Sequence, residues 1–199
     1  MSLYRPLEHP LVYNFIQKFL GILTLNRYTI ERHLEQTVIP TADDKILDVG
    51  CGTGRYAALF GDHYFGIDNN PQYIEFAKRH APGKFSVGDG KRINFPNDTF
   101  SYVISVGVFH HLDDETIMTI TKEMKRVLRP GGRILLIDPV YPPKYNIVGY
   151  ILFYLDRGKH QRTLSTLLRL LQPQGFRLLT ANIKNSFPYQ VAVLECREK

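Results

Sequence analysis

The chain has 199 residues, 44% of them hydrophobic, with a formal charge of +6. That is enough apolar material for one sizeable core, so a single domain over residues 1–199 is expected. The 25 basic residues are scattered, so the charge permits an anionic partner without demanding one. Cys51 and Cys196 are the only cysteines, too few for a disulfide framework and placed for no metal site. No secretory signal is visible, and a reducing cytoplasm is the expected home.

Residues 1–40 read as an N-terminal helical cap, with helices over about 11–24 and 26–38. Asn14, Gln17 and Lys18 interrupt the apolar run Leu11–Leu25, which is too short to span a bilayer. It reads as an amphipathic helix, lying either on the protein or, as a peripheral membrane contact through residues 11–25, on a lipid surface. Pro40–Asp44 leads into a first strand, Lys45–Val49, and a helix is expected over Arg55–Phe60. Strands follow at His63–Asp68, Lys84–Val87 and Phe100–Val106, with a helix from Pro71 to about His80 between the first two. Asp113–Leu128 has helical spacing, capped by Asp113 or Asp114. It stops before Pro130-Gly131-Gly132, which aims a fifth strand, Arg133–Asp138. Strands alternating with helices predict a parallel sheet. After a helix at Leu164–Leu171, Gly175–Ile183 and Gln190–Arg197 are joined by a short turn and must be antiparallel.

The most informative run is Ile46–Phe60, a buried strand entering a turn with Gly50, Gly52 and Gly54. Such a turn lets a ligand lie against backbone. The dinucleotide fingerprint needs its third glycine where Arg55 stands here. Asp48, at the strand's tip, would repel a pyrophosphate and attract a cation. The other reading of the turn is a glycine-rich bend that merely packs. Asp68, 20 residues on, ends the next strand. Its two oxygens suit the two donors of vicinal hydroxyls; the other reading, a cap for the Pro71 helix, is compatible with that role.

The run Asp48-Val49-Gly50-Cys51-Gly52-Thr53-Gly54 resembles motif I of the class I S-adenosylmethionine-dependent methyltransferases. The Val127–Gly132 turn resembles a further motif of that family. The resemblance covers roughly residues 44–140, with a looser likeness to the ubiquinone and menaquinone enzymes. It implies an α/β, Rossmann-like sheet of seven strands in the order 3-2-1-4-5-7-6, with helices on both faces. It also implies S-adenosylmethionine as cofactor and S-adenosylhomocysteine as product. Cofactor contacts are then expected from Asp48 and the turn residues Gly50, Cys51, Gly52 and Gly54. Asp68 and Asn69 would take the ribose. Asp89 and Gly90 would take the adenine, unless Gly88–Gly90 is an ordinary turn. Carbonyls at Ser105 or Val106 would face the methionine ammonium.

Methyl transfer needs alignment and, for some acceptors, a base. His110 and His111 follow the fourth strand, where an acceptor would approach, and serve either as base or in packing. Residues 139–163 read as an inserted, lid-like segment, its aromatics either enclosing an acceptor or covering the sheet edge. Tyr141, Tyr145 and Tyr154 are the candidate acceptor residues, with Arg157 or Arg162 for an anionic end. Asp138-Pro139-Val140-Tyr141-Pro142-Pro143 imitates the run used by amino-methylating DNA enzymes. It follows the wrong strand and lacks the second proline, so nucleic acid is not the expected substrate. The expected activity is methyl transfer by in-line displacement to a small, amphipathic, lipid-like or ring-containing acceptor. The alternatives are an RNA or protein methyltransferase, or a noncatalytic S-adenosylmethionine-binding module.

Overall fold

The protein's structure is a computed structural model that describes residues 30–142, 145–147, 149–150, 160–186 and 189–198, without the side chains of Ser186 and Tyr189. The expected stretch at 11–24, with the contact proposed for 11–25, lies outside the described residues, as do Tyr154 and Arg157.

Apolar runs buried on both faces form the centre of the sheet, as continuous hydrophobicity requires, and the more exposed strands its two edges. The strands are β1 (Ile46–Val49), β2 (Tyr64–Asp68), β3 (Lys84–Val87), β4 (Phe100–Val106), β5 (Leu128–Val140), β6 (Arg177–Ser186) and β7 (Tyr189–Arg197). The sheet order is β3-β2-β1-β4-β5-β7-β6. Pairs among β1 to β5 are parallel, and β7 is antiparallel to both β5 and β6.

Alternation along the strands divides the core in two. Leu47, Val49 and Val103 pack with Ile117, Ile120 and Met124 of α3 (Asp114–Val127) and Leu167 of α4 (Leu164–Leu171). On the opposite face Ile46, Tyr64 and Ile104 meet Leu34 of α1 (Ile30–Thr37) and Ile74 of α2 (Pro71–His80). Parallel strands covered by helices on both faces place every strand tip of β1, β2, β4 and β5 at one end. That end carries the glycine turn.

Asp44 fastens the other end. Its carboxylate accepts from the Thr41 N–H (2.8 Å) and hydroxyl (2.9 Å) and the Ser101 hydroxyl (2.5 Å), and it pairs with Arg129 at 2.6 Å. Burial alone would raise this acid, but those hydrogen bonds and the arginine outweigh it and hold it near about 2.

Two elements differ from expectation. In place of a helix over Arg55–Phe60 there are two single 3₁₀ turns, Ala57–Leu59 and Gly61–His63. Gly54 and Gly61 are both left-handed (φ +77° and +54°), so the stretch between them is too short to propagate an α-helix. β5 starts at Leu128 rather than Arg133, with an interruption. Phe100 pairs with Leu128 and Tyr102 with Arg133, so Arg129–Gly132 bulges out of the ladder. The Pro-Gly-Gly run thus aims the strand, as expected, from within it.

Candidate active site

The three glycines of the turn have different surroundings. Gly50 and Cys51 donate their N–H groups to the Ile67 carbonyl (2.8 and 3.0 Å), which ties the turn to β2. A Cβ on Gly50 would lie 2.5 Å from Val108 Cγ2, and one on Gly54 would lie 2.9 Å from the Phe85 ring. Those two glycines are needed for packing. A Cβ on Gly52 (φ +55°) would meet nothing within 4 Å, so here the backbone faces open space. The Cys51 side chain points inward, and burial pushes its thiol up. Only its backbone is available to a ligand.

Around the open glycine stand two acids. Asp48 is 1% exposed and accepts one hydrogen bond, from the Tyr64 hydroxyl at 2.5 Å. Among the described residues no donor reaches its other oxygen. Burial, with the nearby Asp68 adding to it, raises this carboxyl to about 7 against the Tyr64 hydrogen bond. Asp68 accepts the Gly52 N–H (2.9 Å) on one oxygen and the Asn70 N–H (2.8 Å) on the other. Its carboxyl is also raised, by burial. The cap of α2 is Asn70, whose side chain accepts from the Gln72 and Tyr73 N–H groups. Asp68 is therefore not the cap, and each of its oxygens keeps a second lone pair. Asn69 is exposed beside it.

Asp89 is exposed and accepts the Lys91 N–H at 2.9 Å, a local turn bond. The Gly88 N–H meets the Asp68 carbonyl (3.0 Å), so this loop borders the acid pair. A Cβ on Gly90 would sit 3.1 Å from Val49 Cγ1, so its packing on β1 favours glycine. The buried Ser105 hydroxyl donates to the Val49 carbonyl (2.9 Å), locking β4 to β1, and Val106 is half-buried.

Beyond β4, buried His110 has Nδ1 3.1 Å from Asp138 Oδ1, and the same oxygen accepts the Phe109 N–H at 3.0 Å. Burial raises the Asp138 carboxyl, and His110 opposes that rise. His111 is exposed, its ring 4.0 Å from that of His110. Arg162 binds this loop from behind. Its guanidinium donates to Asp114 through Nε (2.8 Å) and Nη2 (2.6 Å), to the Phe109 and His160 carbonyls through Nη1, and to the Leu112 carbonyl through Nη2.

Residues 46–132 match a family model described as a methyltransferase domain. Over that stretch the chain is similar to methyltransferase domains. Phosphoethanolamine N-methyltransferase 3 of Arabidopsis thaliana is 29% identical over 146 residues, 69% of this chain and 29% of that protein. The 2-methyl-6-phytyl-1,4-hydroquinone methyltransferase of Synechocystis is 34% identical over 101 residues, 47% of this chain and 31% of that protein. The chain thus spans less than a third of the length of either relative. Among solved structures, a TehB-like S-adenosylmethionine-dependent methyltransferase from Corynebacterium glutamicum superposes with a TM-score of 0.71 at 20% identity, covering 96% of this chain and 98% of that one. That likeness establishes the fold.

The domain brings Asp48, Gly52 and Asp68 together and places Asp89 on the bordering loop. Of the insert residues, Tyr141 is half exposed and Tyr145 is 85% exposed. Arg162 corrects an expectation. All five of its N–H donors are used inside the protein, so none is left for an acceptor's anion. Asp138 was missed as a partner of His110. The available signal was an acid at the tip of the strand neighbouring the histidine pair. Tyr64 was missed because nothing in a strand's sequence says which acid its hydroxyl reaches. Among the described residues no helix is long and apolar enough to cross a membrane.

Proposed function

We propose that this domain binds S-adenosylmethionine across the tips of β1 to β4 and transfers its methyl group to a small acceptor by in-line displacement. The observation that carries the reading is the buried Asp48 carboxyl, which among the described residues receives one hydrogen bond, beside a glycine whose missing side chain leaves open space. That combination fits a cationic nucleoside without phosphate, because a buried acid with a single neutral donor attracts an ammonium and repels a pyrophosphate.

Asp48 holds the ammonium, together with backbone carbonyls at Ser105 or Val106. Asp68 uses its remaining lone pairs for the ribose hydroxyls, Gly52 lets the sugar lie against the turn, and Asp89 with Gly90 takes the adenine. When bound, the cofactor supplies an electrophilic methyl on a good leaving group. His110 is the base. Asp138 on Nδ1 makes Nε2 the basic nitrogen, which takes the proton from an acceptor O–H or N–H. His111, exposed alongside, stands at the mouth. Tyr141, Tyr145, Tyr154 and Arg157 of the insert contact the acceptor. The two relatives named for a phosphoethanolamine and a hydroquinone acceptor support a small, amphipathic or ring-containing substrate.

Calorimetry with S-adenosylmethionine and S-adenosylhomocysteine tests the cofactor. A labelled-methyl screen over a metabolite and lipid extract tests the acceptor, with label expected in a small molecule. Label confined to RNA or protein would replace the small-molecule reading, and binding without any transfer would leave a noncatalytic binding module.

A further inference from the structure

Tyr64 opens β2 beside the first residue of β1, and its position is set by its neighbours. Its side chain is fully buried, its ring stacks 6.4 Å from Phe60 and leans on Phe85 at 5.7 Å, and its Cα pairs in register with Ile46 of β1. Held this way, its hydroxyl reaches across to Asp48, the one hydrogen bond that carboxyl receives among the described residues.

Among the described residues the groups facing the pair are the Asp68 carboxyl at the tip of β2, the Cys51 thiol in the turn and, against Tyr64, the Tyr56 phenol. All are acids, and none supplies a positive charge. A carboxylate enclosed by acids with a single donor is unfavourable until a cation arrives, so without ligand the acid form is well populated near neutrality. We infer that Tyr64 sets the charge of Asp48, so that a ligand bearing an ammonium group expels a proton from the Asp48–Tyr64 pair as it binds. This rests on the cofactor reading above and adds to it a residue and a proton.

The balance is simple. The O–H bond of the Asp48 carboxyl breaks, the proton leaves to bulk buffer, and the ammonium takes its place as electrostatic partner. The Tyr64 hydroxyl keeps its own proton and goes on donating to the carboxylate. Its contribution is to make that anion tolerable. Removing the hydroxyl leaves the acid form more favoured, so the ligand must displace more proton for weaker binding. Burial and Asp68 raise the Asp48 carboxyl to about 7 in the free protein, which places the effect where it is measurable.

The test is calorimetry on the full chain, in pairs of buffers with different ionisation enthalpies, between about pH 5.5 and pH 7. Two ligands are compared: S-adenosylhomocysteine, which carries the ammonium, and 5′-methylthioadenosine, which has the nucleoside and sulfur without it. S-adenosylhomocysteine is expected to release about half a proton at pH 7 and nearly one about a pH unit lower, with affinity falling as pH drops. Methylthioadenosine is expected to release none. Tyr64→Phe, which keeps the ring and its packing, should bring release by S-adenosylhomocysteine at pH 7 close to one proton and weaken its affinity several-fold. Asp48→Asn should abolish the release. Equal proton counts for the two ligands, or an unchanged count in Tyr64→Phe, would overturn the inference while leaving the cofactor reading intact. Failure of both ligands to bind folded protein would overturn the cofactor reading and this inference with it.

Discussion

Gly50 and Gly52 share a left-handed backbone but not an environment, and alanine distinguishes them. Either substitution forces a side chain into that conformation at about 1–2 kcal/mol. At Gly50 the new methyl also collides with Val108, 2.5 Å away, whereas at Gly52 it enters open space. Thermal unfolding should therefore show Gly50→Ala as the less stable variant. Calorimetry should show Gly52→Ala, though folded, binding S-adenosylhomocysteine at least about tenfold more weakly, since its methyl fills the groove. Unimpaired binding by Gly52→Ala would remove the turn from the site. At the acceptor side, His110→Gln should lower turnover on an identified O–H or N–H acceptor about 10²-fold with cofactor affinity preserved, the usual size of a lost base. Equal loss of cofactor affinity would make His110 part of the packing instead.

At the scale of elements, Arg162 shows what the sequence carries and what it withholds. The central strands were legible because each holds an apolar run closed by a breaker or a polar tip, whereas β3 and β6 are more polar edge strands. The acids at those tips were visible for the same reason. The sheet order came from the family resemblance, since nothing in strand composition orders β7 before β6. The side-chain partners were not legible. Arg162 reaches the Phe109 carbonyl 53 positions away and Asp138 reaches His110 across 28, and periodicity says nothing of such distances. An arginine in an aromatic insert therefore looked like an anion hook, while packing made it the bolt between the insert's end and the loop after β4. The helix expected at 55–60 failed on local grounds, at Gly54 and Gly61. Arg162→Met should cost about 2–3 kcal/mol in urea unfolding, because three carbonyls lose a charged donor. Arg162→Lys should recover only part of that, since an ammonium cannot span the same fork. If Arg162→Met were as stable as the parent, the loop would be held by its other bonds alone.

Across the whole molecule the two ends of the sheet respond oppositely to pH. Asp44, with its folded carboxyl near about 2 against an ordinary 3.8, contributes stability above about pH 4 that disappears as pH falls towards 2. At the glycine end the acids run the other way. Asp48 is raised to about 7, and Asp68 and Asp138 are raised as well. Between the ordinary value and the raised one, the folded state binds more protons than the unfolded chain. Stability is then greatest at the acid side of that window and declines as pH rises through it. For Asp48 alone the shift of some three units corresponds to an upper bound on the order of 4 kcal/mol lost by neutrality. Asp48→Asn carries no such penalty, so it should melt higher than the parent at pH 7–8, with a much smaller gap at about pH 4.5. A ligand that brings an ammonium to Asp48 relieves the same strain, so S-adenosylhomocysteine should raise the parent's melting temperature more at pH 7 than at pH 5, and that difference should vanish in Asp48→Asn. A parent protein whose stability rises steadily from pH 4.5 to 8, with Asp48→Asn following the same curve, would mean that the Asp48 carboxyl is better solvated than its 1% exposure indicates.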